Sequence, residues 1–83
     1  MVKTNNTLRI DLHGKYVDDA MNELRNFIAN APKNTEKIIV IHGYNSGTAL
    51  QEAVRHRLRG PRILEITGNF GNDGESIIWL KRN

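Results

Sequence analysis

Residues 38–41 have the sequence Ile-Ile-Val-Ile, an uninterrupted β-branched run with no polar face. The run is too short for a helix and is typical of a central strand in a sheet that is covered on at least one side. His42 and Gly43 follow this strand and begin a glycine-containing loop. The other helices and strands are predicted from the segments before and after this strand.

Two periodic segments precede the central strand. Residues 7–12 alternate strictly, with Leu8, Ile10 and Leu12 on one face and Arg9, Asp11 and His13 on the other. This alternation predicts a half-buried strand. Apolar residues then recur at helical spacing from residue 17 to residue 31, and acidic residues lie in the first turn, where the helix dipole favours them. We expect this helix to end at Pro32.

A second helix is predicted after the loop at residues 43–47. Its apolar stripe consists of Leu50, Ala53, Val54 and Leu58. Thr48 and Gln51 match a capping box at its start, and Gly60 and Pro61 end it.

The last part of the chain predicts a hairpin. Residues 63–67 and 77–80 are expected to form strands, joined by a loop at residues 68–74 that is rich in Gly and Asn. Three large aromatic side chains are expected to pack in the core or the hairpin, with stacking on bases as the alternative; these are Phe27, Phe70 and Trp79.

The element order is therefore β-α-β-α-β-β. Right-handed crossovers would place both helices on one face of a sheet that changes from parallel to mixed at the C-terminal hairpin. The predicted fold class is a two-layer α/β sandwich with a four-stranded mixed sheet.

The length of the chain allows one domain. Its 83 residues lie near the lower limit of independent stability, and 39% hydrophobic residues arranged in clusters argue against disorder. We expect residues 1–6 to be a flexible segment, residues 7–83 to form the domain, and the chain to be a monomer.

The composition excludes several classes of protein. With no Cys the chain has no disulfide framework, thiolate metal site or catalytic thiol, which fits a reducing compartment. No stretch approaches the roughly 18 apolar residues of a membrane span, and residues 1–6 lack the apolar centre of a signal peptide. We expect a cytoplasmic protein that does not bind membranes.

The net charge of +3 arises entirely after Glu52, because residues 1–52 hold six basic and six acidic residues. One short segment, which we call the basic segment, carries Arg55, Arg57, Arg59 and Arg62 with no acidic residue among them. Such a local field attracts a polyanion, so nucleic acid is the first partner to consider. The alternative is a solvated helix face.

Three titratable side chains are predicted to meet at one edge of the sheet. Asp11 and His13 are two residues apart at the end of the first strand, and His42 closes the second. Open α/β sheets generally bind ligands at the carboxyl edge of their strands. The alternatives are that Asp11 accepts backbone N–H bonds from the following turn or pairs with Arg9, and that each His only ends a strand.

The loop at residues 43–47 runs from a strand into a helix, and its amides could hold a phosphate. It lacks the Lys and the Gly spacing of a Walker A motif. Tyr44 could stack on an unpaired base or pack on the second helix. The spacing of potential metal ligands is poor, although Asp11 could hold Mg²⁺ with help from a phosphate.

Two motifs resemble those of the Smr (small MutS-related) domain: Leu-Arg-Ile-Asp-Leu-His-Gly at residues 8–14 and Ile-Val-Ile-His-Gly at residues 39–43. The resemblance extends from about residue 7 to residue 80. It implies a fold similar to the C-terminal domain of translation initiation factor three. It also implies binding of DNA or RNA, and endonuclease activity in which Asp11 and His13 take part.

The chain departs from the family pattern in two places. The second motif is commonly H-G-x-G or T-G-x-G, and here Asn45 replaces the second Gly while Gly47 comes two residues later. Many members carry a basic residue early in the second helix, where this chain has Ala49 or Gln51. Arg55 and Arg57 could substitute for it.

These observations predict a nucleic-acid-binding domain with endonuclease activity on RNA or branched DNA. The alternatives are a non-catalytic module that binds RNA or the ribosome, and a small-molecule phosphate enzyme, for which the chain has little material to build a closed pocket. The predicted catalytic residues are Asp11, His13 and His42. The predicted nucleic-acid contacts are Gly14, Lys15, Gly43, Tyr44, Asn45, Ser46, Gly47, Arg55, Arg57 and Arg59.

The expected mechanism needs no cofactor, although a divalent cation at Asp11 is an alternative. His13, oriented by Asp11, would take the proton of the RNA 2′-hydroxyl, and His42 would protonate the leaving 5′-oxygen. Amides at the start of the second helix would stabilise the charged phosphorane.

Overall fold

A computed structural model describes residues 6–43 and 49–81. The described elements, in chain order, are β1 (Thr7–Asp11), α1 (Val17–Asn30), β2 (Lys37–Ile41), α2 (Ala49–Glu52) with a π-helical continuation (Ala53–Arg57), β3 (Ile63–Asn69) and β4 (Asn72–Leu80). This order agrees with the predicted one. The expected flexible segment lies almost entirely outside the described residues.

The strands described form one sheet in the order β1-β2-β4-β3. β1 is parallel to β2, with Asp11 opposite Ile41. β4 is antiparallel to both β2 and β3, so the sheet is mixed. The crossover through α2 therefore skips one position, which β4 fills when the chain turns back.

The core lies on one face of this sheet. One apolar cluster combines Ile10, Leu12, Ile38, Val40, Ile78 and Leu80 from the strand segments with Ala20, Met21, Leu24, Ile28, Leu50, Ala53, Val54 and Leu58 from the helical ones. Alternating strand residues thus face both helices, as the period of two requires. The predicted two-layer α/β sandwich is confirmed.

The opposite face of the sheet has no helix against it in the described part of the chain. Its central side chains, including Ile39, Ile41 and Trp79, are only partly buried. The indole N–H of Trp79 donates to Oγ1 of Thr67 at 3.1 Å, and Nζ of Lys37 lies 5.0 Å from the ring centroid. Asp11 shares this face, because its neighbours Ile10 and Leu12 point into the core.

The hairpin differs from the prediction. Residues 68–74 are not a loop: β3 extends to Asn69 and β4 begins at Asn72, so only Phe70 and Gly71 form the turn. Between two successive cross-strand pairs, Gly68–Ser76 and Asn69–Asn72, β4 holds three extra residues in a bulge. The bulge accommodates the Gly-rich composition that suggested a loop.

Phe70 also departs from the prediction. Its side chain is fully exposed, at 103% of the reference area, so the expectation that it packs in the hairpin is wrong. Phe27, in contrast, packs against the core.

The second helix buries the predicted apolar stripe, but its winding widens from α to π at Ala53. Neither described helix is long and apolar enough to cross a membrane. The predicted cap at Thr48 lies outside the described residues.

Candidate functional site

Asp11 and His13 form a close pair at the end of β1. Oδ1 of Asp11 accepts the backbone N–H of His13 at 3.1 Å and lies 2.6 Å from Nδ1 of its ring. Both side chains are more than half exposed, at 53% and 68%. Of the alternatives for Asp11, the backbone bond is present, while Arg9 pairs with Glu75 instead, at 3.2 Å.

The imidazole of His13 is the main influence on the carboxyl group of Asp11. Its hydrogen bond, followed by the bond from the backbone N–H of His13, lowers the pKa of Asp11 below the usual 3.8. Burial opposes the shift, and the charges of His13 and Lys15 add to it. Asp11 is therefore an anion at neutral pH.

An ionised carboxylate only accepts hydrogen bonds, so the neutral ring of His13 must carry its proton on Nδ1. The other nitrogen, Nε2, then presents a lone pair. This is the arrangement by which a carboxylate holds a histidine in the tautomer of a general base. The pair can accept a proton from a group bound at this edge of the sheet.

The turn after the pair depends on Gly14. Its φ is +80°, which favours glycine. Lys15 follows, its backbone N–H bonded to the carbonyl of Leu12 at 3.2 Å and its Nζ 3.3 Å from Oε1 of Glu23. Lys15 is thus exposed next to the Asp11–His13 pair, and its ammonium group forms an ion pair with Glu23.

His42 does not join the pair. It is 2% exposed and lies on the helix-covered face with Val40. Its Nδ1 lies 2.9 Å from the carbonyl oxygen of Gly43, and its Nε2 lies 2.8 Å from Oγ of Ser76. A carbonyl only accepts, so Nδ1 donates and Nε2 accepts from the serine hydroxyl. Both ring nitrogens of His42 therefore have partners inside the protein. Of the three side chains predicted to meet, only Asp11 and His13 do so.

Gly43 connects the two motifs. Its φ is +74°, and a Cβ placed on it would lie 3.2 Å from Cβ of His13. The backbone N–H groups of His42 and Gly43 both donate to the carbonyl of Gly74, at 2.9 and 3.0 Å. The second motif therefore packs against Cβ of His13, and its hydrogen bonds connect this edge of the sheet to the bulge in β4.

The basic segment is divided by the fold. Nε of Arg55 donates to Oγ of Ser76 at 3.0 Å. In the amide orientation that satisfies both side chains, the oxygen of Gln51 accepts from both Nη atoms of Arg55 at 3.0 and 3.1 Å. Arg55 is therefore partly committed to an internal network with His42.

Arg62 was predicted as part of the basic segment that attracts nucleic acid, but its role in the structure is to bond to the backbone. Its guanidinium donates to the carbonyls of Ile28, Ala31 and Pro32 at 2.6, 2.9 and 3.0 Å, which closes the C-terminal end of α1. Arg57 and Arg59 are exposed, and no partner for them is present among the described residues.

Several predictions concern residues outside the described ranges. Tyr44, Asn45, Ser46 and Gly47 lie there, so their predicted contacts with nucleic acid stay predictions. Within residues 6–43 and 49–81 no three potential His, Asp or Glu ligands are grouped as a metal site.

Ser76 was not among the predicted site residues, although it joins His42 to Arg55. It is fully buried. A signal was present in the sequence, because Ser76 shares the strand face of Ile78 and Leu80 and is the polar member of that apolar set. A polar residue at a core position requires a hydrogen-bond partner.

Comparisons with known proteins identify the family of this chain. The family model described as the Smr domain matches residues 10–81. Endonuclease MutS2 from Streptococcus pneumoniae, strains Hungary19A-6 and CGSP14, is 35% identical over 78 residues, which cover 88% of this chain and 10% of each relative. The chain thus spans about a tenth of the length of these relatives.

The crystal structure of the Smr domain of Thermus thermophilus MutS2 has the same fold. It aligns with a TM-score of 0.77 and 24% identity over 89% of this chain and 98% of that one. Because the family model covers most of the chain, the protein belongs to the Smr domain family.

Proposed function

We propose that this protein binds nucleic acid and cleaves RNA at phosphodiester bonds, with His13 as general base. The observation that carries the proposal is the 2.6 Å contact between Oδ1 of Asp11 and Nδ1 of His13, which leaves Nε2 of an exposed ring to accept a proton. Membership of the Smr family and similarity to proteins named as endonucleases support it.

The proposed reaction uses the nucleophile that RNA supplies. Nε2 of His13 takes the proton of the 2′-hydroxyl, the 2′-oxygen forms a bond to phosphorus, and the bond from phosphorus to the 5′-oxygen breaks. The leaving oxygen takes a proton from solvent. The products are a 2′,3′-cyclic phosphate and a 5′-hydroxyl.

Solvent replaces His42 as the proton donor for a structural reason. To protonate the leaving oxygen, His42 would have to give up its bonds to Ser76 and to the carbonyl of Gly43 and leave the core. In this proposal His42 instead positions Gly43, which lies against His13.

One observation favours a second candidate, a binding module without catalytic activity. Asp11 and His13 lie on an exposed sheet edge, where water competes for the charge that develops on the phosphate. In that case the same edge would bind RNA or a ribosomal partner without cutting it.

An RNA with one 2′-deoxy substitution at the mapped cleavage position tests the reaction. We expect the protein to cleave the all-ribose strand, and to do so in the presence of a chelator as well. It should not cleave at the substituted position. His13→Ala should lower the rate by about 100- to 10,000-fold. His56→Ala is the matched control, because His56 is an exposed histidine on the π-helical segment.

The other outcomes separate the alternatives. Cleavage at the deoxy position, or loss of activity in chelator, would replace this mechanism with metal-assisted hydrolysis through Asp11. Binding without cleavage by the wild-type protein would support the non-catalytic module.

A further inference from the structure

The tip of the β3–β4 hairpin presents a single aromatic ring to solvent. We propose that Phe70 stacks on an unpaired nucleobase of the bound nucleic acid, beside a recess that Arg55 lines. This inference rests on the proposed function, since it names the part of the substrate that the hairpin contacts.

Local structure does not explain a phenylalanine at this position. Tight hairpin turns favour Gly, Asn and Asp, and Gly71 already supplies the positive φ, at +85°. At 103% exposure the ring of Phe70 gains nothing from burial in the fold. One exposed ring is also far smaller than a stable protein interface, which buries about 1,200 Å² or more, whereas it matches the face of one base.

The tip is held in place by its neighbours. Nδ2 of Asn69 donates to Oε1 of Glu75 at 2.7 Å, and the backbone N–H of Gly74 donates to Oδ1 of Asn72 at 3.0 Å. Gly74 in turn accepts the two N–H groups that follow β2. A base that stacks on Phe70 therefore meets a preorganised surface, which lowers the entropic cost of binding.

A recess of about 470 Å³ lies beside the ring, lined by Arg55 and residues 68–73. A Cβ placed on Gly68 would lie 2.9 Å from Nη2 of Arg55, so the glycine leaves room for the guanidinium. A guanidinium plane both stacks on bases and donates to their acceptors. The recess thus adds polar contacts to the stacking surface.

The charges at the tip favour contact with a base over contact with a phosphate. Glu75 is paired with Arg9 and with Asn69. Asp73 is an exposed carboxylate on the tip itself, and it repels the phosphate backbone. A neutral base is the part of a nucleotide that can approach this carboxylate.

The tip and the Asp11–His13 pair lie on the same edge of the sheet. β4 is antiparallel to β2, so its first residues meet the carboxyl ends of β1 and β2. Strand spacing and rise place the backbones of Asp11 and Phe70 within roughly 20 Å of each other. A single strand a few nucleotides long can span both sites.

A double-mutant cycle between protein and nucleic acid tests the proposal. Short single-stranded RNAs, each with one abasic position, are titrated into the wild-type protein and into Phe70→Ala. One abasic position should weaken wild-type binding by about 5- to 150-fold, equivalent to the loss of one base stack. The same position should have little effect on Phe70→Ala, and Phe70→Tyr should behave as wild type.

Leu64→Ala is the matched control, because Leu64 is an apolar side chain on the same hairpin, 62% exposed. If the wild-type protein binds no intact strand, the proposed function fails. If it binds and no abasic position shows coupling to Phe70, only this inference is overturned. Equal losses on single strands and duplex, or a lower melting temperature for Phe70→Ala, would also overturn it.

Discussion

At the scale of single residues, the proposed chemistry depends on the hydrogen bond between Asp11 and His13. The lowered pKa of Asp11 means that its interactions with His13 stabilise the folded state at pH values above 3.8, and that this stabilisation is lost as the pH falls through the folded-state pKa. We expect the side-chain carboxyl carbon of Asp11 to titrate below 3.8 in an NMR experiment. In His13→Ala the midpoint should rise toward 3.8 without reaching it, because the backbone N–H bond persists.

His56→Ala serves as the control for this titration and should leave the Asp11 midpoint unchanged. A wild-type midpoint at or above 3.8, or the same midpoint in His13→Ala, would show that the ring does not hold the carboxylate in solution. The ring would then have no fixed tautomer, and the proposed general base would lose its support.

Sequence alone could place Asp11 and His13 together because their relation is local. Two residues on one strand share a face whatever the rest of the chain does. The environment of His42 depends on Ser76, which is 34 residues away and reaches it only through the pairing of β2 with β4. No local pattern contains that pairing, and so the sequence placed His42 at the correct edge but not on the correct face.

At the scale of secondary structure, Arg62 fixes the end of α1. The last turn of this helix contains no basic residue, and the guanidinium of Arg62 supplies three donors to the carbonyls at its end. Arg62→Ala should therefore lower the free energy of unfolding by about 1 to 3 kcal/mol. In a domain of this size that corresponds to roughly 4 to 8 °C of melting temperature per kcal/mol.

Urea or thermal unfolding measures this effect, and two further variants test whether it arises from the hydrogen bonds of Arg62. Arg62→Lys should recover only part of the loss, since one ammonium group cannot reproduce the planar set of donors. Arg57→Ala, an exposed arginine five residues earlier, should change stability by less than about 0.5 kcal/mol. If Arg62→Ala unfolds as wild type does, the three hydrogen bonds contribute nothing measurable.

The helices and strands were predictable where periodicity was strong, as in β1 and α1. The hairpin was not, because glycine and asparagine are equally typical of an open loop and of a bulged strand. What decides between them is a contact between distant segments: the carbonyl of Gly74 accepts two N–H groups from the end of β2. Arg62 was also not predictable from local sequence. The basic composition of its segment suggested a charged surface, whereas its tertiary contacts place it at the end of α1.

At the scale of the whole molecule, the net charge of +3 overstates what is available to a polyanion. Arg62 is engaged inside the fold and Arg55 is partly engaged there, while Arg9 and Lys15 are paired with carboxylates. Arg57 and Arg59 stay exposed. They lie at and just after the end of the π-helical segment, which leads away from the Asp11–His13 edge toward the start of β3. A nucleic acid bound at that edge, as proposed, would have to extend along the helix to reach them.

The salt dependence of binding separates the contribution of this charge from that of base stacking. Each phosphate contact on a single strand adds about 0.7 to the slope of log K against log salt concentration, so the double variant Arg57→Ala/Arg59→Ala should flatten the slope by up to about 1.4. Arg57→Lys/Arg59→Lys should keep the wild-type slope, because counterion release follows charge. Phe70→Ala should weaken binding and leave the slope unchanged, because stacking on a base releases no counterions. An unchanged slope in the double alanine variant would show that the two arginines only face solvent, and a flatter slope in Phe70→Ala would show that the hairpin contacts the backbone of the nucleic acid.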